Sequence, residues 1–293
     1  MRPVRIVVGF PPGGAADIAA RLMGRFLSER LGQQFVIDNR PGASTNIATE
    51  EVAHAPADGY TLLAVTATNT VNPTLFDNLN FNFIRDIAMV GGITRNPLVL
   101  EVHPSVPAET LAQFIEYVRA NPGKVTLGSS GIGAIPQVTG ELFKMRTKTN
   151  MLDVPYRGST PMLTDLLAGR VQSAFDPLGS LEHIKAGTLR ALAVTSTRRS
   201  PLLPDIPAIG ELLPGFEASG WVALGAPKKT EAAIVERLNK AINVGLTDPD
   251  IRAGLSQFGG NVFTGSAADL DALVVQDTAK WAEVIKFANI KAN

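Results

Sequence analysis

The groups best placed to do chemistry in this chain are backbone N–H groups rather than side chains. Residues Ile6 to Arg21 read Ile-Val-Val-Gly-Phe-Pro-Pro-Gly-Gly-Ala-Ala-Asp-Ile-Ala-Ala-Arg. A short apolar run rich in β-branched residues enters a Pro-Pro-Gly-Gly turn, which can neither continue a strand nor begin a helix. A helical pattern follows, with Ile18, Leu22 and Phe26 four apart and Gly32 as its stop. A strand, glycine turn and helix in this order aim free N–H groups and the positive end of a helix dipole at one spot, which suits an anion. A tight βα connection with no ligand reads the same way, because a lone glycine turn is weak evidence. The arrangement recurs, however. Val125 to Leu127 reads as a strand entering Gly128-Ser129-Ser130-Gly131-Ile132-Gly133, before a helix from about Pro136 to Lys144. It recurs again at Val154-Pro155-Tyr156-Arg157-Gly158-Ser159-Thr160-Pro161, where Thr160 is the expected N-cap and Pro161 the first helical residue.

Side chains supply little catalytic machinery. There is no Cys, which excludes thiol catalysis, disulfides and cysteine metal sites. No Gly-x-x-x-x-Gly-Lys-[Ser/Thr] occurs, and Gly131-Ile132-Gly133 lacks the third glycine of a dinucleotide fingerprint. Gly128-Ser129-Ser130-Gly131 falls short of the Gly-x-Ser-x-Gly of a serine hydrolase. Of the three histidines, His54 falls in a helix-ending segment, His103 precedes a proline and His183 lies beside Glu182 and Lys185, so surface or capping roles are expected. Asp17 and Arg21, at i and i+4, read either as a ligand clamp or as an exposed helix ion pair worth about 0.3–0.5 kcal/mol. No acids or histidines show metal-ligand spacing. Anion-ready loops without acid–base machinery describe a binder.

The elements that must position these loops alternate regularly. Strands are expected at Tyr60–Val65, Leu98–Val102, Val171–Phe175, Leu189–Thr195 and Trp221–Leu224, and helices at Leu111–Ala120, Glu231–Val244 and Ala267–Phe287. At 293 residues there is room for two α/β domains, each with its own core. Lys plus Arg equals Asp plus Glu at 27 each, so no basic field points to nucleic acid. Charged residues are only 18% and apolar ones 45%, a balance suited to sheets covered on both faces. The apolar runs are too short for the ~18 residues of a membrane helix. Met1-Arg2-Pro3 leads directly into the first strand, as a mature chain does once its leader is removed.

Many motifs in one order then bear a resemblance. Val8-Gly9-Phe10-Pro11-Pro12-Gly13-Gly14 with Asp17 and Arg21 is followed by Asn39-Arg40-Pro41-Gly42-Ala43, Asp58-Gly59-Tyr60-Thr61-Leu62-Leu63 and Asn72-Pro73. Val154-Pro155-Tyr156-Arg157-Gly158, Ile184-Lys185-Ala186-Gly187, Leu189-Arg190-Ala191-Leu192-Ala193-Val194-Thr195, Pro204-Asp205-Ile206-Pro207, and Trp221 with Ala226-Pro227 continue the series. Over essentially its whole length the chain resembles the Bug or TctC-type periplasmic solute-binding proteins, the receptors of tripartite tricarboxylate transporters. The resemblance implies an α/β, two-lobed, type II-like binding fold without catalytic activity or cofactor. In it two crossover strands join lobes that close on a small carboxylate.

Lobe one would comprise residues 1–102 and 220–293, and lobe two residues 103–219. A periplasmic monomer that docks on membrane transporter subunits is expected, neither membrane-inserted nor bound to nucleic acid. By position, the ligand loops would be Phe10, Pro12, Gly13, Gly14, Ala15 and Asp17 in lobe one, and Ser129, Ser130, Gly131, Ile132, Gly133, Ala134 and Ile135 in lobe two. Tyr156, Gly158, Ser159 and Asp176 would join them. The departures from the family pattern are specific: Ile132 stands where an Asn is common, and Ala134, Ile135, Pro136 and Gln137 where small polar residues and a His are usual. Losing donors and gaining apolar surface suggests a ligand with an apolar part, unless the changes are drift in a variable loop. An enzyme or a LysR-type effector domain on the same fold is the alternative. The enzyme would need titratable groups from both lobes, and Asp17, Arg157 and Asp176 are the available cleft charges.

Overall fold

In a computed structural model of the chain, which describes residues 2–257 and 259–292, the strands and helices alternate as expected and fall into two compact units. Unit one is Met1–Arg95 with Trp221–Ala282, and unit two is Asn96–Gly220 with Glu283–Asn293. Chain order through the first pass is β1 (Val4–Val8), α1 (Ala15–Leu31), β2 (Phe35–Asn39), α2 (Asn46–Ala53), β3 (Thr61–Thr66), α3 (Thr68–Leu75), α4 (Phe83–Asp86) and β4 (Ile87–Val102). There follow α5 (Leu111–Ala120), β5 (Thr126–Ser129), α6 (Ile135–Thr147), β6 (Leu152–Pro155), α7 (Ser159–Leu167), β7 (Ser173–Pro177), α8 (Leu181–Lys185), β8 (Arg190–Val194), α9 (Ile209–Leu212) and β9 (Ser219–Pro227). The return is α10 (Ala232–Gly245), α11 (Pro249–Ser256), β10 (Asn261–Val262) and α12 (Ala267–Ala288).

In unit one β1 lies between β2 and β3, parallel to both, and β9 joins β3 antiparallel. Nearly every side chain of β1 and β3 is buried, because helices cover both faces. The apolar stripe of α1, from Ala16 through Ala20 and Met23 to Leu27, packs on Ile6, Val8 and Leu62 and meets Leu238 and Ile242 of α10. Each of the larger side chains among them, such as Met23 and Leu27, contributes about 1.5–3 kcal/mol by its full burial. Helix α1 ends where Gly32 turns left-handed at φ 66° and donates its N–H to Ser28 O.

In unit two β5 lies parallel to β6 and β7, and β7 is antiparallel to the second half of β4, which β8 also joins. One face carries the rings of Phe114, Phe143, Phe175 and Phe216, with centroids 5.7–6.5 Å from Phe143. The other carries Val171, Ala174 and Leu189 packed against Met162 and Leu166 of α7.

Several boundaries differ from the sequence reading. The strand expected at Leu98–Val102 is the end of a sixteen-residue strand, and the passage between units falls inside it at Arg95–Asn96. That is earlier than the expected 102/103, because Leu98 onward already pairs with β7. The return passage falls at Gly220–Trp221, within β9, but Glu283–Asn293 groups with unit two rather than with the expected lobe one. Helix α7 begins at Ser159, with Gly158 rather than Thr160 at the N-cap. Gly158 has φ 113°, which a side chain would resist, and this swings the chain into the helix ahead of Pro161.

Candidate functional site

Strands β1, β2 and β3 run parallel, so their carboxyl ends share one edge of unit one, each followed by a helix N-terminus. Ligands of open α/β sheets bind at such edges. The first loop there is held by Asp17, which is 2% exposed. Its Oδ2 accepts from the N–H of Gly13 and from Arg21 Nε, each at 2.9 Å, and its Oδ1 accepts from Asn39 Nδ2 at 2.9 Å. The same Asn39 amide donates to the carbonyl of Phe10 at 3.0 Å. Burial alone would raise the Asp17 pKa, but the bonds from Arg21, Gly13 and Asn39 hold it below the usual range. The carboxylate therefore fixes the loop's shape, with Gly13 at φ 88°, while helix geometry leaves the first N–H groups of α1 open. Phe10 is half-buried, and Pro12, Gly13, Gly14 and Ala15 are exposed.

Two further segments meet this edge, and the sequence reading gave them no role. Ala43, Ser44 and Thr45 turn left-handed in succession at φ 45°, 51° and 77°. Asn72 Nδ2 secures that turn by donating to Ser44 O and to Asn46 Oδ1, at 2.6 and 2.8 Å. Asn69 Nδ2 donates to the hydroxyls of Thr45 and Thr49. Asn46 Nδ2 and Asn72 Oδ1 are left buried without a partner. The signal was present, since Pro41-Gly42-Ala43 and Asn72-Pro73 belong to the quoted motifs, but their juxtaposition is not local in sequence.

The carboxyl ends of β5, β6 and β7 make the equivalent edge of unit two. Gly131 and Gly133 have φ 145° and 72°. The Gly133 N–H donates to Gln137 Oε1 at 2.8 Å, and Gln137 Nε2 donates to Asp153 Oδ2 at 2.8 Å, so Gln137 braces the loop where the family usually carries other polar residues. Ile132 is 40% exposed, Ala134 half-buried and Ile135 buried. Of the three residues expected to wall the ligand, only Ile132 thus presents a large apolar surface in this structure. Ser130 is half-buried, and the buried Ser129 hydroxyl has no partner. Tyr156 donates to Asp165 Oδ2 at 2.8 Å. Gly158 and Ser159 start α7, and Asp176, 3% exposed, ends the buried run of β7.

The helices at these edges share one property. Gly14, Thr45, Ala67, Ala134 and Gly158, the N-caps of α1, α2, α3, α6 and α7, provide no side-chain hydrogen bond. Elsewhere Asn82, Thr110 and Asp248 cap α4, α5 and α11 with their side chains. Among the other helices with a described N-cap, α8, α9 and α10 also lack a side-chain cap. An N-cap acceptor is worth about 1 kcal/mol, so its repeated omission at the two carboxyl edges keeps N–H groups free for something else. Hollows also lie at the opposite, amino-terminal edges. One of about 740 Å³ in unit two is lined by Pro104, Glu109, Tyr117 and Arg190, and one of about 410 Å³ in unit one by Val4, Phe35 and Tyr60.

Among the described residues no cluster of His, Asp and Glu could hold a metal ion, and no helix is long and apolar enough to cross a membrane. The histidines sit apart: His54 ends α2, His103 bonds Ser105, and His183 lies by Thr188.

Residues 19–290 match the model of the tripartite tricarboxylate transporter family receptor. Protein BugT of Bordetella pertussis is 34% identical over 294 residues, covering 99% of this chain and 90% of its own. Among solved structures, R. palustris Rpa4515 with adipate is 38% identical with a TM-score of 0.82, covering 99% of this chain and 98% of its own. MatC from Rhodopseudomonas palustris with bound malate is 30% identical with a TM-score of 0.79, covering 97% and 99%. These are periplasmic substrate-binding receptors rather than enzymes, built on a two-lobed α/β solute-binding fold. With its glycine loops and open helix N-termini on that fold, the chain belongs to the tripartite tricarboxylate transporter receptor family of Bug and TctC-type proteins.

Proposed function

We propose that this chain is an extracytoplasmic receptor that captures a small carboxylate at the glycine loops of its two lobes and delivers it to the membrane subunits of a tripartite transporter. The observation that carries this reading is the set of N-termini without side-chain caps behind those loops, α1 in unit one and α6 and α7 in unit two. Free N–H groups and a helix dipole are what an anion replaces water with. Relatives that hold adipate and malate support the ligand class.

The ligand is a carboxylate with an apolar body. Ile132, exposed where the family commonly has an amide, gains about 25 cal/mol per Å² against an apolar ligand face. A ligand hydroxyl buried there without a partner costs about 1–3 kcal/mol, a factor of roughly 5 to 150.

A thermal-shift screen of ligand-free protein tests the class. Saturation at 100 times Kd stabilises by about 2.7 kcal/mol, so adipate or benzoate raises Tm while glucose and simple amines do not; the reverse result overturns the proposal. Calorimetric titration then ranks adipate above malate, and Ile132→Asn narrows the gap. A preference of the unmodified protein for malate would make Ile132 loop drift.

A further inference from the structure

Unit two carries two acids on one face of the β4–β7 ladder with no base reaching either. Glu101 lies opposite Ala174, so Asp176, two residues further along β7, is its diagonal neighbour on the same face. Both are buried, at 0% and 3% exposure. Ser180 Oγ donates to Glu101 Oε2, and the nearby Ser159 side chain only partly offsets what burial does to Asp176. Glu101 Oε1 and Asp176 Oδ1 are buried without any partner.

Apart from Arg157, which is exposed in the β6–α7 loop, the other charged groups of the surrounding elements are engaged elsewhere. On α7, Asp165 takes Tyr156 and Arg170. On α8, Glu182 and Lys185 pair with each other and His183 lies by Thr188. On β8, Arg190 donates to the carbonyls of Val106 and Ala108. On α6, Glu141 pairs with Lys144, and Asp153 of β6 accepts from Gln137. No cation helps either acid to ionise. Burial first, then the neighbouring Asp176, pushes Glu101 up to about 8, and burial pushes Asp176 up to about 7.

Asp176 lies near the carboxyl end of β7, and the nearby Ser159 is the first residue of α7 behind the third glycine loop. An ionised Asp176 would repel an arriving carboxylate, whereas the neutral acid donates to it a strong charge-assisted hydrogen bond. Resting on the carboxylate reading above, we propose that unit two holds the ligand's carboxylate through a proton rather than a cation, with Asp176 as donor and Glu101 as the positioning residue that keeps the proton on it. The ligand arrives and stays ionised, the proton comes from solvent, and no other bond changes.

Isothermal titration with adipate from about pH 6 to about pH 9, where adipate is mostly ionised, tests this in phosphate and in Tris. The expected result is affinity falling towards tenfold per pH unit at the alkaline end, with close to one proton taken up per ligand there and almost none at about pH 6. Asp176→Asn flattens the profile, and Glu101→Gln moves its drop to lower pH by removing the second acid. Should either variant fail to fold, the two-buffer comparison on the unmodified protein decides. Adipate binding that is independent of pH and buffer overturns the proton inference and leaves the receptor reading intact. Affinity that rises with pH, with proton release, overturns it in favour of a ligand cation at Asp176. If neither adipate, benzoate nor malate binds at any pH, both readings fall.

Discussion

Replacing Asp17 with Ala removes the acceptor of three donors at once, the Gly13 N–H, Arg21 Nε and Asn39 Nδ2. Arg21 is half exposed and recovers water, but the other two lie in a part-buried site, so the expected loss is about 1–3 kcal/mol. It would appear as a lower urea midpoint at unchanged slope. Carboxylate affinity falls as well, because only the bond from Asn39 Nδ2 to the Phe10 carbonyl is then left to tie the glycine loop to β2. No change in either quantity would show that the loop keeps its shape unaided. The sequence presents Asp17 and Arg21 as neighbours on a helix, and that pair is real. What it conceals is Asn39, which comes from a strand the apolar pattern does not reveal, since most of β2 is only half-buried. Local spacing showed the ion pair; the bond that fixes the loop crosses 22 residues.

Helix α6 starts at an Ala that could carry a capping acceptor and does not. Ala134→Asp should therefore raise Tm, since an N-cap acceptor and a favourable dipole interaction contribute about 1 kcal/mol. It should also abolish the carboxylate-induced shift, because the new side chain occupies the N–H groups the ligand needs. Unimpaired binding in this variant would remove α6 from the site. Elements with strong punctuation were readable: α5 lies at Leu111–Ala120 as expected, between Thr110 and Asn121-Pro122-Gly123. Those missed run against their own propensity. Helix α3 contains Pro73 and β-branched residues, yet it is held by buried Val71, Asn69 and Asn72. The first half of β4 contains Gly91-Gly92, which reads as a break. There Gly92 serves close packing, since a Cβ would lie 2.2 Å from the carbonyl of Phe263. The glycine loops were legible because their chemistry is local; the turn at Ala43–Thr45 was not, because asparagines more than twenty residues away hold it.

For the molecule as a whole, the buried acids set how stability varies with pH. Glu101 and Asp176, raised to about 8 and about 7, keep protons in the folded chain that the unfolded chain has lost above about pH 4.5. Folding therefore binds protons, and stability falls as pH rises from about 4.5 towards 8. Asp17 and Asp38, held low in the folded chain, act in the opposite direction and lose their contribution as pH falls below the usual carboxylate range. Melting measured in the absence of ligand should be highest in mildly acidic buffer and lower at about pH 8 than at about pH 5. A flat profile across that interval would mean that the two acids ionise freely. The passage of the chain from unit one to unit two has a different consequence. Because it lies within an unbroken strand, side chains alternate through the joint, and Leu98, Leu100 and Val102 share the face of Phe175 while Val99 and Glu101 take the other. Arg95–Asn96 is thus a seam with parity: a single inserted or deleted residue reverses the alternation between the first half of β4 and the rest of that strand, and lobes recombined between relatives at this point keep it only if the count across the seam is kept.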